Sequence, residues 1–293
     1  MAKAEGQSGA QAIRDLGYRP YVGERLPAKH NSSVLLRHGL RRAWGSWLVK
    51  IAAFLCWLPP VIAMGGIGIN YWMRSQRPGM VESVEAGWVL SVVYEWQMWL
   101  FVTMVTLGAG SAVIAEDFQH KSFQFYFAKP VTRVQYLAGR ISAVAIWVFC
   151  LLAVPGALLV LILVGSAEPE DRVTNLGAIL PAMIQAGIVA LVTSTASVGV
   201  SSLSKSRALT MTAWMLLFIV PHVLAVIVEA VADWEWLRLL SIPALLAEMN
   251  DTLFKQADEN DIEWAHALPI LLAVSAGGLT LAMGRLRHAE AIA

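Results

Sequence analysis

The side chains able to do chemistry in this 293-residue chain are few and scattered. Six histidines (His30, His38, His120, His222, His266 and His288) stand apart, and no two share a spacing that would let them converge on a metal ion. The GxxxxGK[S/T] loop that cradles nucleotide phosphates is absent, as are the HExxH pair and the GxSxG nucleophile turn. One group suggests proton or ion handling: Pro221-His222, with Glu229 one to two turns later, inside an apolar run. Glu95 is a further ionisable side chain in such a run, and intramembrane ionisable groups are functional candidates by default. Both glutamates lie towards the outer ends of their runs, and for Glu229 simple solvation is the alternative. Cys56 and Cys150 fall within apolar runs and read as packing residues with no disulfide or CxxC logic. No motif here supplies an engine, so vectorial work would draw on an ion gradient or on an ATPase in another chain.

The elements that must position these groups are membrane spans. The chain is 57% hydrophobic and 15% charged, with a mean hydropathy of +0.58, more apolar surface than a water-soluble fold of this size covers. Six segments are near or above the ~20 residues needed to cross a bilayer: Trp47–Ile69, Val89–Ala115, Ile141–Val164, Ala178–Ser201, Leu209–Val231 and Ala265–Met283. An even number of spans puts both termini on one side. Seventeen of the 22 Lys and Arg residues fall in the segments of that side and five in the other three loops. The positive-inside rule therefore predicts that both termini and the segment 116–140 are cytoplasmic, and a multi-pass protein of the bacterial inner membrane is expected. The first thirty residues are polar and mixed, without the apolar core of a signal peptide.

The organisation expected is an all-α polytopic membrane protein in four parts. Residues 1–33 form a cytoplasmic tail, 34–46 an amphipathic interfacial helix, 47–284 a six-helix transmembrane domain, and 285–293 a cytoplasmic C-terminal tail. In the interfacial helix Leu36, Leu40, Trp44 and Trp47 recur at helical spacing against Arg37, His38, Arg41 and Arg42. Pro59-Pro60 predicts a kink or break in span 1. Span 4, "IVALVTSTASVGVSS", is dense in small residues, and Thr193, Ser194, Ser197 and Ser201 are candidates for close helix packing or for lining a pathway. The long outer loop 232–264 is too apolar for open solvent. It predicts a short re-entrant or interfacial helix broken at Pro243, with Trp234, Trp236 and Trp264 at headgroup depth.

Between spans 2 and 3 lies "EDFQHKSFQFYFAKPVTRVQYLAGR", residues 116–140. Glu116-Asp117 closes span 2, "FQHKSFQFYF" forms a short aromatic interfacial helix, and Lys129-Pro130 ends it. Thr132 with Gln135 makes a capping box that starts the next helix. Such a helix, held between two spans, transmits force to both.

This stretch resembles the permeases of ABC-2 type transporters. The resemblance rests on Glu116-Asp117, then Ala128-Lys129-Pro130-Val131-Thr132-Arg133, then Tyr136-Leu137-Ala138-Gly139-Arg140, and extends through the six spans over about residues 34–290. Phe123-Gln124 departs from the Thr-Leu that many members carry. The resemblance implies a type V exporter-like fold with an N-terminal interfacial helix, a cytoplasmic coupling helix and outer re-entrant helices. It further implies that Glu116, Asp117, Phe118, Lys121, Phe123, Phe125, Tyr126, Lys129 and Arg133 couple the chain to a cytoplasmic ABC ATP-binding subunit, present in two copies. ATP and Mg would be bound in that partner and no cofactor in this chain. A second permease copy, as homodimer or related heterodimer, and membrane lipid would complete the assembly, with no role for nucleic acid. Export of a hydrophobic or amphipathic substrate is the function implied. The alternatives are a permease of copper-enzyme maturation or gliding machinery and, in a different class, an ion-gradient-driven carrier resting on His222 and Glu229.

Overall fold

The computed structural model describes residues 30–77, 80, 82–127, 131–232, 234–255 and 264–292, and among them no strand occurs. Six helical segments are long and apolar enough to cross a membrane: Trp47–Gln76, Ala86–Gln119, Arg133–Ser166, Arg172–Ser201, Arg207–Ala232 and Trp264–Arg287.

A helix precedes the spans. α1 (Asn31–Gly45) buries Leu35, Gly39 and Ala43, which lie on one face, against the start of span 3. A Cβ added at Gly39 would come 2.7 Å from the Cβ of Ala143, so the two backbones lie close. Trp44 stacks on Trp147 with centroids 5.1 Å apart. The packing face is thus one residue out of step with the Leu36/Leu40/Trp44/Trp47 stripe, whose two tryptophans stay exposed.

Span 1 is two helices, α2 (Trp47–Leu55) and α3 (Leu58–Gln76), with Pro59 and Pro60 in the first turn of α3. A first turn has no use for the N–H that proline lacks. Span 2 begins as α4 (Ala86–Gln97), passes through two wide π-turns at Met98–Val102 and Thr106–Gly110, and ends as α5 (Val113–Gln119). After α6 (Phe123–Phe127), span 3 is one 34-residue helix, α7 (Arg133–Ser166), with Pro155 inside it. Span 4 comprises α8 (Arg172–Gly177) and α9 (Ile179–Ser201), and span 5 is α10 (Arg207–Ala232). A 3₁₀ turn, Glu235–Leu240, leads into α11 (Ile242–Phe254), and α12 (Trp264–Ile292) carries span 6.

Prolines in spans leave backbone carbonyls without their usual donors, and in an apolar medium these must be answered. Gln97 does so twice. Its Nε2 donates to the carbonyl of Cys56 at 3.0 Å and to that of Leu151 at 3.5 Å. Those are the oxygens four residues before Pro60 and Pro155. One buried amide therefore ties spans 1, 2 and 3 together at their breaks.

α9 is the central helix. Thr193, Ser194, Ser197 and Ser201 are all fully buried, the first three donating to carbonyls of their own helix. α9 crosses α12 where two glycines meet, since a Cβ on Gly199 would lie 2.5 Å from the Cα of Gly278. α11 is inserted beside this core, burying Leu245, Leu246, Asn250 and Phe254. The break in the outer segment comes at Ser241, whose Oγ caps α11 by accepting from the Ala244 N–H at 3.1 Å. Pro243 falls in the first turn of α11 and opens that helix, where the sequence suggested that it breaks one.

The glycine crossing gives a direct test. Gly278→Ala drives a Cβ to 2.4 Å from the Thr195 carbonyl oxygen, whereas Gly277→Ala points into open space. Thermal unfolding of the purified chain should show Gly278→Ala destabilised by about 1–3 kcal/mol, the range for overpacked cores, and Gly277→Ala unchanged.

Candidate functional site

The last turn of span 2 delivers two carboxylates to one end of the bundle. Its start is fixed by Ser201, whose Oγ accepts the N–H groups of Ile114 at 2.8 Å and Ala115 at 3.2 Å. The chain turns at Ser111-Ala112 after the π-segments, so the first amides of α5 have lost their in-helix acceptors. Ser201 is thereby a structural cap supplied by a neighbouring helix.

Asp117 is 3% exposed. Its Oδ1 accepts from Arg42 Nη1 at 2.9 Å, and its Oδ2 from the Tyr136 hydroxyl and from Arg140 Nη2, each at 2.6 Å. The same Arg140 nitrogen donates to the Tyr126 hydroxyl at 2.9 Å. The Arg140 guanidinium also lies 5.6 Å and 5.4 Å from the Tyr126 and Tyr136 ring centres, within cation–π range. Glu116 accepts from Arg42 Nη2 and, at 2.9 Å, from Arg207 Nη1. Two adjacent acids therefore join α1, span 2, α6, span 3 and span 5. Burial would lower the proton affinity of the Arg42 guanidinium, but its hydrogen bond to Glu116 and the Asp117 charge raise it above the ordinary arginine value.

An aromatic layer continues the cluster. Phe118 and Phe123 pack with centroids 4.6 Å apart, and Tyr136 lies 5.4 Å from both Phe123 and Tyr126. Arg285 at the end of span 6 covers the Phe118 ring at 5.2 Å. The turn into α6 is tight. Lys121 takes a left-handed φ of 52°, and the Ser122 N–H donates to the Asp117 carbonyl at 2.9 Å. Beyond it, Thr132 and Gln135 form a reciprocal capping box: the Gln135 N–H donates to Thr132 Oγ1 at 3.2 Å and the Thr132 N–H to Gln135 Oε1 at 3.1 Å.

The handle residues thus divide. Asp117 and Phe123 are buried, Glu116, Phe118, Tyr126 and Arg133 are half-buried, and Lys121 with Gln124 is exposed. The Phe125 side chain and the whole of Lys129 lie outside the described residues. Arg42, Tyr136, Arg140 and Arg207 were missed as functional residues. Tyr136 and Arg140 are four apart on one face of the span 3 start, which is a signal, but Arg42 lies 74 and 75 positions from the two carboxylates it meets and Arg207 lies 91 from Glu116.

The other ionisable candidates do not converge. His222 Nδ1 is 3.0 Å from Ser241 Oγ, with its ring edge-on to Trp99 at 4.1 Å. Glu229 holds Arg238 through both oxygens at 2.6 and 2.5 Å. Glu95 is exposed on α4. His222 and Glu229 each serve to tie span 5 to the segment that leads into α11, so they do not form the joint group expected of a proton path.

A family model described as ABC-2 family transporter protein matches residues 12–255. The chain belongs to this family. No curated protein matches the sequence. The chain is accordingly a multi-pass transmembrane permease subunit of the ABC-2 type, and the family implies an ABC ATP-binding partner. In this permease the acidic pair is the point where α1, the short connecting helix α6 and three spans share one set of charges.

The cluster predicts asymmetric mutational costs. Asp117→Ala leaves the Arg140 charge buried without its carboxylate, which should cost about 3–5 kcal/mol in thermal unfolding of the purified permease. Asp117→Leu with Arg140→Met removes both charges and should recover most of that loss. Equal destabilisation of single and double variants would contradict this account.

Proposed function

We propose that the permease exports a hydrophobic or amphipathic substrate across the bacterial inner membrane, driven by two cytoplasmic ABC ATP-binding subunits that grip α6 and its flanking turn. Two permease chains, identical or related, enclose the pathway. The acidic end of the bundle faces the cytoplasm, as do both termini, and ATP and Mg are bound only in the partner. The excess of Lys and Arg in segments on that side supports the orientation.

One observation carries the coupling role: Asp117, buried, bonded at once to Arg42, Tyr136 and Arg140, with Arg140 bonded on to Tyr126 of α6. A push on α6 cannot remain local. It must move span 3 through Tyr136 and Arg140 and α1 through Arg42, with span 5 attached more loosely through Glu116 and the half-exposed Arg207. Buried charge pairs cannot separate cheaply, so displacement is transmitted as a rigid shift of the helices that bear them. The exposed Lys121 and Gln124 are the side chains offered for contact, while Phe123 fixes α6 from beneath.

The purified permease alone should hydrolyse no ATP. In a reconstituted complex with its ATP-binding subunit, Tyr126→Phe keeps the ring but removes the bond to Arg140. Substrate moved per ATP should fall by about tenfold, the equivalent of one hydrogen bond to a charged group, with assembly intact. A cysteine replacing Gln124 should cross-link to the ATPase and be labelled only from the cytoplasmic face. Normal coupling in Tyr126→Phe, or labelling from the opposite face, would refute the assignment.

A further inference from the structure

The charge cluster borders a cleft of ≈ 390 Å³ walled by Arg42, Arg140, Arg207, Glu116, Ser46 and Trp47, with small and aliphatic residues completing the lining. Arg140 is 1% exposed, yet its Nε and Nη1 have no hydrogen-bond partner. Unanswered N–H bonds on two nitrogens of a buried cation are costly, because each forfeits the water it would otherwise bond. The charges are also uneven. Arg42, Arg140 and Arg207 face Glu116 and Asp117, leaving one positive charge in excess. Ser46 adds a hydroxyl that makes no capping bond to α2.

The position of the cleft is as informative as its charge. Trp47 is the first residue of the apolar span Trp47–Gln76, and it stands 71% exposed beside the cleft, with Trp44 47% exposed one turn earlier. Arg207 opens span 5, and Glu116 lies in the last turn of span 2. The mouth therefore lies where the surface changes from polar to apolar, the depth of lipid phosphates and of interfacial tryptophans.

We propose that this cleft binds the phosphodiester of an anionic phospholipid. The phosphate supplies the missing negative charge and accepts from Arg42 and Arg207, whose side chains are partly exposed at the cleft, while the enclosed Arg140 charge adds to the field from behind. The glycerol portion lies at Ser46, and the acyl chains leave past Trp47 and Leu48. Bound there, the lipid becomes part of the cluster that links α1 to spans 2, 3 and 5. The proposal does not depend on which subunit docks on α6, so its failure would leave the coupling role standing.

Native mass spectrometry of the full permease in detergent tests it, with phosphatidylglycerol, phosphatidylcholine and inorganic phosphate as separate probes. One phosphatidylglycerol per chain should be retained at least about tenfold more tightly than phosphatidylcholine, the worth of one bond between charged partners. Two substitutions should each weaken phosphatidylglycerol by a similar factor. Arg207→Gln removes a charge from a half-exposed side chain. Gly45→Leu fills the cleft mouth, where the glycine has open space around it. Indifference to both substitutions, or equal retention of the two lipids, would overturn the proposal. So would raised thermal stability with inorganic phosphate but not with phosphatidylglycerol, which would assign the cleft to the free ion.

Discussion

Everything at one end of this permease depends on a single buried carboxylate. Asp117 sits at 3% exposure with two guanidinium groups and a phenol on its two oxygens. An ionised carboxylate is tolerated there only because each partner is charged or strongly polar and close. The constraint is mutual, since Arg140, also buried, would itself be intolerable without Asp117. Five segments of chain are therefore fixed relative to one another by the need of a few charges for company. That arrangement adds little net stability compared with an apolar core, but it admits few alternative registers.

The rest of the bundle is held by a different rule, that no backbone polar group in an apolar medium goes unanswered. Gln97 answers the carbonyls left by Pro60 and Pro155, and Ser201 answers the amides left at the start of α5. These three irregularities are each matched by a polar side chain from another span. Between those points the helices close on small residues, as at Gly199 and Gly278. Breaks, caps and crossings together bring the end of span 2 to where Asp117 meets its partners.

Much of this was legible before any coordinates. The six spans follow from length and apolar content, and their observed bounds differ from the expected ones mainly by polar ends that continue the helices beyond the apolar stretch. Burial told against a single role for the handle. Its aromatic residues read as one docking element, yet Phe123 turns inward onto Phe118 and Tyr136 while Lys121 and Gln124 face out. Five residues are too few for periodicity to show which side of a helix is buried. The hydroxyls of span 4 read as packing residues ahead of pathway ones, and in the fold all four are buried, three of them bonded to carbonyls of their own helix.

The sequence by itself determined that the chain crosses a membrane six times and that an acidic pair, an aromatic segment and a helix start follow one another between spans 2 and 3. These are properties of local composition and spacing, which need no knowledge of neighbours. Only the tertiary structure decided that Arg42, Tyr136, Arg140 and Arg207 converge on that pair, and that His222 and Glu229 take separate partners. The reason is physical. Hydropathy fixes how each helix stands to the bilayer but not how it is rotated or which helix it faces, and a charge finds its partner only when the helices have packed.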